Sequence, residues 1–168
     1  MVLWLLGISG AGKTTLGSRL RDYLTGKGIK SYMLDGDEVR DVFGNDLGFT
    51  KEEREAHIKR IILAAYALDR CNIAAVVCVI TPFQHLRDLA REKIGGYREI
   101  YIKKDLNASM ENDVKGVYGD NRGKTDLVGI NINFDEPRCP DLVIETDKET
   151  IEESLGKIIR YIEGQGLC

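Results

Sequence analysis

Apolar residues along this chain fall in two spacings that alternate from end to end. Val2-Leu3-Trp4-Leu5-Leu6 is apolar at every position, and so is Ile73 to Ile80, Ile-Ala-Ala-Val-Val-Cys-Val-Ile. A short run with no polar face is expected of a strand buried on both sides at the centre of a parallel sheet. Ile29–Leu34, Glu99–Ile102 and Asp141–Glu145 read as three more strands. Between these runs the spacing lengthens to three and four. Leu16, Leu20 and Leu24 mark a helix from Lys13 to Lys27, with Gly28 at its C-terminal cap position. Asp37-Glu38-Val39-Arg40 opens a short helix that closes near Gly44. Thr50-Lys51-Glu52-Glu53 has the form of a capping box, and the helix behind it carries Ile58, Ile61, Ile62, Ala65 and Leu68 on one stripe. Gln84–Lys93, Asn107 to about Val114, and Thr150–Ile162 read as the remaining helices.

Strands and helices therefore alternate, which predicts an α/β fold: a doubly wound five-stranded parallel sheet with helices on both faces and right-handed crossovers. From Lys115 to Pro140 the period is lost and Gly, Asn, Asp, Arg and Lys dominate. A long aperiodic stretch inside a compact domain is usually functional, so a lid is expected at about 115–140 within a single domain spanning 1–168.

The chemistry begins where the first apolar run ends. Gly7-Ile8-Ser9-Gly10-Ala11-Gly12-Lys13-Thr14 satisfies the phosphate-loop pattern G-x-x-x-x-G-K-[ST] at every fixed position, between an expected strand and an expected helix. Glycines let successive N–H groups turn inward toward phosphate oxygens, and the helix N-terminus that follows favours a polyphosphate. Gly7, Ile8, Ser9, Gly10, Ala11, Gly12, Lys13, Thr14 and Thr15 are thus the expected ATP-binding residues, with Lys13 reaching the β- and γ-phosphates and the Thr14 hydroxyl placed to ligate Mg²⁺. Asp35-Gly36-Asp37 ends the second strand, at the carboxyl edge where ligands bind in open α/β sheets. As residue types, Asp35 and Asp37 also suit a turn and a helix cap. Two D-x-x-G strings occur, at Asp113–Gly116 and Asp126–Gly129, but neither follows a buried run and no N-K-x-D string is present. The pattern disfavours a GTPase and suits a kinase that encloses a small acceptor and excludes water.

Composition narrows the picture only a little. The chain has 168 residues and a net charge of -3 spread over stretches of mixed sign, so no nucleic-acid-binding surface is expected. No apolar run approaches the roughly 20 residues that span a bilayer, so no membrane partner is expected either. Cys71, Cys78, Cys139 and Cys168 form no C-x-x-C pair, and His57 and His85 stand apart, so no zinc site is expected. A reducing, cytoplasmic setting fits these thiols. The oligomeric state is not written in the pattern, and a homodimer is one open arrangement.

Beyond the loop the motifs become specific. Leu34-Asp35-Gly36-Asp37-Glu38-Val39-Arg40, then Asn45-Asp46-Leu47-Gly48-Phe49-Thr50, resembles the adenylylsulfate kinase family. Ile80-Thr81-Pro82-Phe83, Lys115-Gly116-Val117-Tyr118, Gly129-Ile130-Asn131, Glu136-Pro137 and Pro140-Asp141-Leu142-Val143 follow in family order. The resemblance implies transfer of the γ-phosphoryl group of ATP to the 3′-hydroxyl of adenosine 5′-phosphosulfate, a small-molecule nucleotide acceptor. It implies a catalytic set of Lys13, Asp37 and Thr81, with Asp37 near the acceptor hydroxyl and Thr81 as a substrate-side contact. Thr14 and Asp35 fall at the metal. Asp37, Arg40, Phe49, Arg54, His57, Ile80, Thr81, Lys115 and Leu127 fall at the acceptor, with Arg40 and Arg54 clamping the anion and Phe49 stacking on the base.

The departures from the family cluster on the acceptor side. His57 stands where an asparagine is usual, Asn112 where an arginine is usual, and Leu127 where an aromatic residue is usual; Arg122 or Lys124 are candidate substitutes for the arginine. Two alternatives stay open on that ground: the same chemistry on another nucleotide such as cytidine diphosphoramidate, or a degenerate nucleotide-binding module.

Overall fold

The computed structural model describes residues 1–105, 128–130 and 132–166. Five parallel strands form one sheet: β1 (Val2–Leu6), β2 (Ser31–Asp35), β3 (Ala74–Cys78), β4 (Tyr97–Lys103) and β5 (Leu142–Glu145), in the spatial order β2-β3-β1-β4-β5. β1 is the middle strand, and every one of its residues is fully buried. Its side chains alternate between the two faces. Val2, Trp4 and Leu6 join one core cluster, while Leu3 and Leu5 join the other.

Among the described residues, five helices cover the sheet: α1 (Lys13–Gly26), α2 (Gly36–Val42), α3 (Lys51–Arg70), α4 (Gln84–Lys93) and α5 (Ile151–Gly164). Leu16, Leu20 and Leu24 of α1 pack with Ile158 and Ile162 of α5 on one face. Ile58, Ile61 and Ile62 of α3 pack with Leu86 and Ala90 of α4 on the other. The sheet is doubly wound, as the alternation predicts. The expected helix Asn107–Val114, and the expected lid as far as Leu127, lie outside the described residues.

Two strands begin later than the apolar runs do, for one reason. Gly28 has φ 77, and the Gly28 and Ile29 N–H groups donate to Thr25 O and Leu24 O at 2.9 and 3.0 Å. That pairing is a Schellman close, in which the apolar residue after the left-handed one packs back on the helix. Asn72 (φ 56) and Ile73 end α3 the same way, with donors to Asp69 O and Leu68 O at 3.1 and 2.9 Å. Ile29 and Ile73 belong to helix ends, not to strands. The capping box at Thr50 and Glu53 is formed, and a second one at Thr150 and Glu153 starts α5. Helix α4 has no cap of its own. The Gln84 N–H instead donates to the Asp135 carboxylate at 3.1 Å, across 51 residues of sequence.

Gly17 lies where α1 crosses β3, and a Cβ there would sit 2.2 Å from Cys78 Sγ. Burial pushes the Cys78 thiol up to about 12, so it behaves as a small neutral hydrophobe. Gly17→Ala is therefore expected to destabilise the protein by about 1–3 kcal/mol in urea unfolding, as overpacked cores do. Adding Cys78→Ala should recover part of that loss, because the atom it meets is then gone.

Candidate active site

The five parallel strands end at one edge of the sheet, where the phosphate loop and Asp35 lie. β1 runs into the phosphate loop. Gly7 leaves it so close to β4 that a Cβ would lie 2.2 Å from the Ile102 carbonyl oxygen, which only glycine tolerates. Gly10 and Gly12 adopt left-handed φ values of 74 and 93, and Gly12 is the N-cap of α1. Lys13 is buried, and its ammonium donates to the Gly7 and Ile8 carbonyls at 2.9 and 2.7 Å. Two neighbours brace the loop from outside: the Thr146 hydroxyl, just past β5, donates to Ala11 O at 3.0 Å, and the Lys104 ammonium, just past β4, donates to Gly10 O at 3.2 Å.

β2 delivers the acidic pair. Asp35 accepts the Thr14 hydroxyl at 2.8 Å through one carboxylate oxygen and the Asp37 backbone N–H at 2.9 Å through the other. Asp35 is thus a helix cap and the partner of the phosphate loop at the same time. The cap reading of the bare sequence and the metal-shell reading are both compatible with this one arrangement. Asp37 lies exposed in the first turn of α2.

The loop after α2 is held by guanidinium groups. Arg40 donates to the Leu47 and Gly48 carbonyls at 2.9 and 3.0 Å, and Arg54 donates to Phe49 O at 2.9 Å. Their guanidinium carbons lie 4.5 and 5.1 Å from the Phe49 ring centroid, a cation–π arrangement on an aromatic ring that is itself half exposed. Arg60 adds a two-pronged pair with Asp46 at 2.7 and 2.8 Å and lies over Phe43. Phe49 is therefore not a core residue, and Arg54 and Arg60 are not simply a solvated helix face.

Two expected site residues lie elsewhere than in the open cleft. His57 is buried on the inner side of α3, beneath Gly36. Burial, and then the Arg40 charge, push its imidazole down to about 4, so it is neutral at pH 7. Thr81 is fully buried just past β3, with φ 46, a left-handed conformation that a β-branched residue rarely adopts. Its hydroxyl accepts the Trp4 indole N–H at 2.9 Å, and its carbonyl accepts Arg87 at 2.9 Å. A side chain so enclosed is a lock on the end of β3, which differs from the substrate-facing hydroxyl that the motif suggests. Ile80, beside it, is half-buried, and Lys115 and Leu127 lie outside the described residues, as do Asn112, Arg122 and Lys124.

Sequence reasoning missed Arg87. It is fully buried, with donors to Thr81 O, Gln84 Oε1 and Asp135 O at 2.9, 2.7 and 2.6 Å. The signal was present: an arginine sits on the apolar stripe that Leu86 and Ala90 of α4 form with its caps Phe83 and Ile94. It missed Thr146 as well, which carries no signal beyond its type.

Trp4 is the single tryptophan of the chain, so tryptophan emission comes from the one buried indole whose N–H Thr81 accepts. Thr81→Val leaves the buried indole N–H without an acceptor and is expected to cost about 1–3 kcal/mol, with a shifted emission maximum. Thr81→Ser keeps the acceptor, so the emission should stay where it is.

With this geometry in hand, the likeness to known proteins is direct. Residues 1–145 match the family described as adenylylsulphate kinase. The chain is 41% identical over 168 residues to the adenylyl-sulfate kinase of Halothermothrix orenii, covering 99% of this chain and 91% of that one. It is 38% identical over 168 residues to that of Rippkaea orientalis, covering 99% and 93%. Among solved structures, the Mycobacterium tuberculosis APS kinase CysC in complex with AMPPNP and APS superposes with a TM-score of 0.90 at 31% identity, covering 96% of each chain. Phosphate loop, acidic strand end and arginine-held aromatic loop are found in one chain that matches these relatives along nearly its full length, and the chain belongs to the adenylylsulphate kinase family.

Proposed function

We propose that this protein is an ATP-dependent adenylyl-sulfate kinase, transferring the γ-phosphoryl group of ATP to the 3′-hydroxyl of adenosine 5′-phosphosulfate. The observation that carries the reading is the 2.8 Å hydrogen bond between Thr14 and Asp35, which joins the phosphate loop to the strand end bearing Asp37. It stands in a chain whose full-length relatives carry that activity in their names.

In this reading, the loop N–H groups hold the β- and γ-phosphates, and Lys13 exchanges its two loop carbonyls for phosphate oxygens. Asp37 orients the acceptor hydroxyl and takes its proton as the new O–P bond forms, while the bond from the γ-phosphorus to the β–γ bridging oxygen breaks and ADP leaves. Arg40 and Arg54 supply positive charge for the phosphosulfate, and Phe49 offers the base a stacking face. Positioning and charge neutralisation provide most of the rate, so no phosphorylated Thr81 is needed.

The donor set also fits Mg²⁺. A hydroxyl and a carboxylate 2.8 Å apart are hard oxygen ligands, and this ion commonly takes one or two of these and completes its shell with water and phosphate. Bound between Thr14 and Asp35, the ion would neutralise charge on the β- and γ-phosphates.

A coupled ADP-release assay with adenosine 5′-phosphosulfate and cytidine diphosphoramidate offered separately tests the acceptor. Turnover of the adenosine compound is expected; turnover of the cytidine compound alone would reassign the acceptor, and silence with both would remove the kinase reading. Lys13→Ala should lower kcat by about 10²–10³, the scale of losing one preorganised charge-stabilising donor. Chelation by EDTA should stop turnover, and added Mg²⁺ should restore it.

A further inference from the structure

His57 is buried in α3, and its imidazole is neutral at pH 7. What it touches is Gly36. A Cβ built on Gly36 would lie 3.1 Å from Val79 Cγ2 and 3.6 Å from His57 Nε2, so this glycine is held between the extension of β3 and α3. Gly36 is the middle residue of Asp35-Gly36-Asp37. Its neighbours face the other way: Asp35 binds the Thr14 hydroxyl and the Asp37 N–H, and Asp37 is exposed. The tripeptide is a turn with a buried centre and two acidic flanks, and the imidazole forms the floor of that centre.

We propose that His57 is a positioning residue, which fixes the Asp35–Asp37 turn from beneath and so sets where Asp37 stands relative to Thr14 and Lys13. The inference rests on the kinase reading above and replaces the acceptor contact expected for His57 from its place in the motif. Its charged surroundings favour the role. Burial first, and then the Arg40 and Arg60 charges, favour the neutral ring, while a hydrogen bond to the Gly36 backbone and the Asp37 charge pull the other way. An uncharged ring keeps a fixed shape under the turn without adding a third cation beside the two arginines. The nitrogen nearest Gly36 is Nε2, so the position of that atom, rather than aromatic bulk, is what the turn depends on.

A double-mutant cycle tests this through steady-state kinetics with adenosine 5′-phosphosulfate and Mg·ATP. His57→Ala is expected to lower kcat by about tenfold or more, since small misplacements of a reacting group are costly, with the KM for ATP changed less than about twofold. In an Asp37→Asn background the same substitution should change kcat by less than about twofold, because contributions made through one group do not add. His57→Gln, whose amide nitrogen reaches the place of Nε2, should retain kcat within about threefold, while His57→Leu, which fills similar space without a nitrogen, should behave like alanine. Should His57→Ala not fold, His57→Leu takes its place in the cycle. Equal losses in both backgrounds would overturn the inference, as would a rise in acceptor KM with kcat unchanged, which marks a direct acceptor contact. A wild-type enzyme inactive on adenosine 5′-phosphosulfate would instead refute the underlying adenylyl-sulfate reading, before any variant is compared.

Discussion

Leu6 ends a strand with no exposed surface, and the chain can leave it only through a residue that fits against the Ile102 carbonyl. That close approach admits no Cβ, and from it the rest of the site follows. Gly7 sets the exit of the loop, Gly10 and Gly12 turn it back on left-handed φ values, and α1 starts where the loop has finished. Because β1 is the middle strand, neighbours on both sides can reach the loop: Asp35 through Thr14, and Thr146 and Lys104 through the Ala11 and Gly10 carbonyls. A loop held this way loses little further freedom when it binds phosphate, which is the physical content of preorganisation.

The polar contacts around the cleft differ in weight. Arg60–Asp46 has good two-pronged geometry but stands in solvent, where ion pairs contribute little. The Trp4–Thr81–Arg87 set is buried, and there an unmet donor is costly, so these bonds matter mainly through the penalty of breaking them. Together they hold a β-branched residue in a left-handed conformation at the carboxyl end of β3. Arg87 and Asp135 then tie residues 133–136 to the start of α4, so this wall of the cleft is built from segments far apart in sequence.

Much of the architecture was legible in the chain. Runs apolar on every position meant buried parallel strands, and stripes at three and four meant helices on the two faces, because burial demands those periods. Errors came at boundaries, where Ile29 and Ile73 extend apolar runs but serve helix ends; a Schellman close uses the same residue types as the start of a strand. On the site, the spacing of the phosphate loop singled out Lys13 and Thr14, and the place of Asp35 and Asp37 at a strand end singled them out as candidates. The environment of each was not legible. Nothing in the sequence distinguishes an exposed Phe49 beside two guanidinium groups from a buried one, or a Thr81 facing the cleft from one locked against Trp4.

The sequence by itself determined the phosphate loop, the parallel sheet and the family, since all three rest on local spacing and on runs short enough to read directly. Only the tertiary structure decided that Asp35 pairs with Thr14, that His57 lies beneath Gly36 as a neutral ring, that Thr81 is enclosed, and that Asp135 caps a helix 51 residues away. Burial and hydrogen-bond partners are properties of what folds against a residue. They are fixed by elements distant in the chain, and no local pattern encodes them.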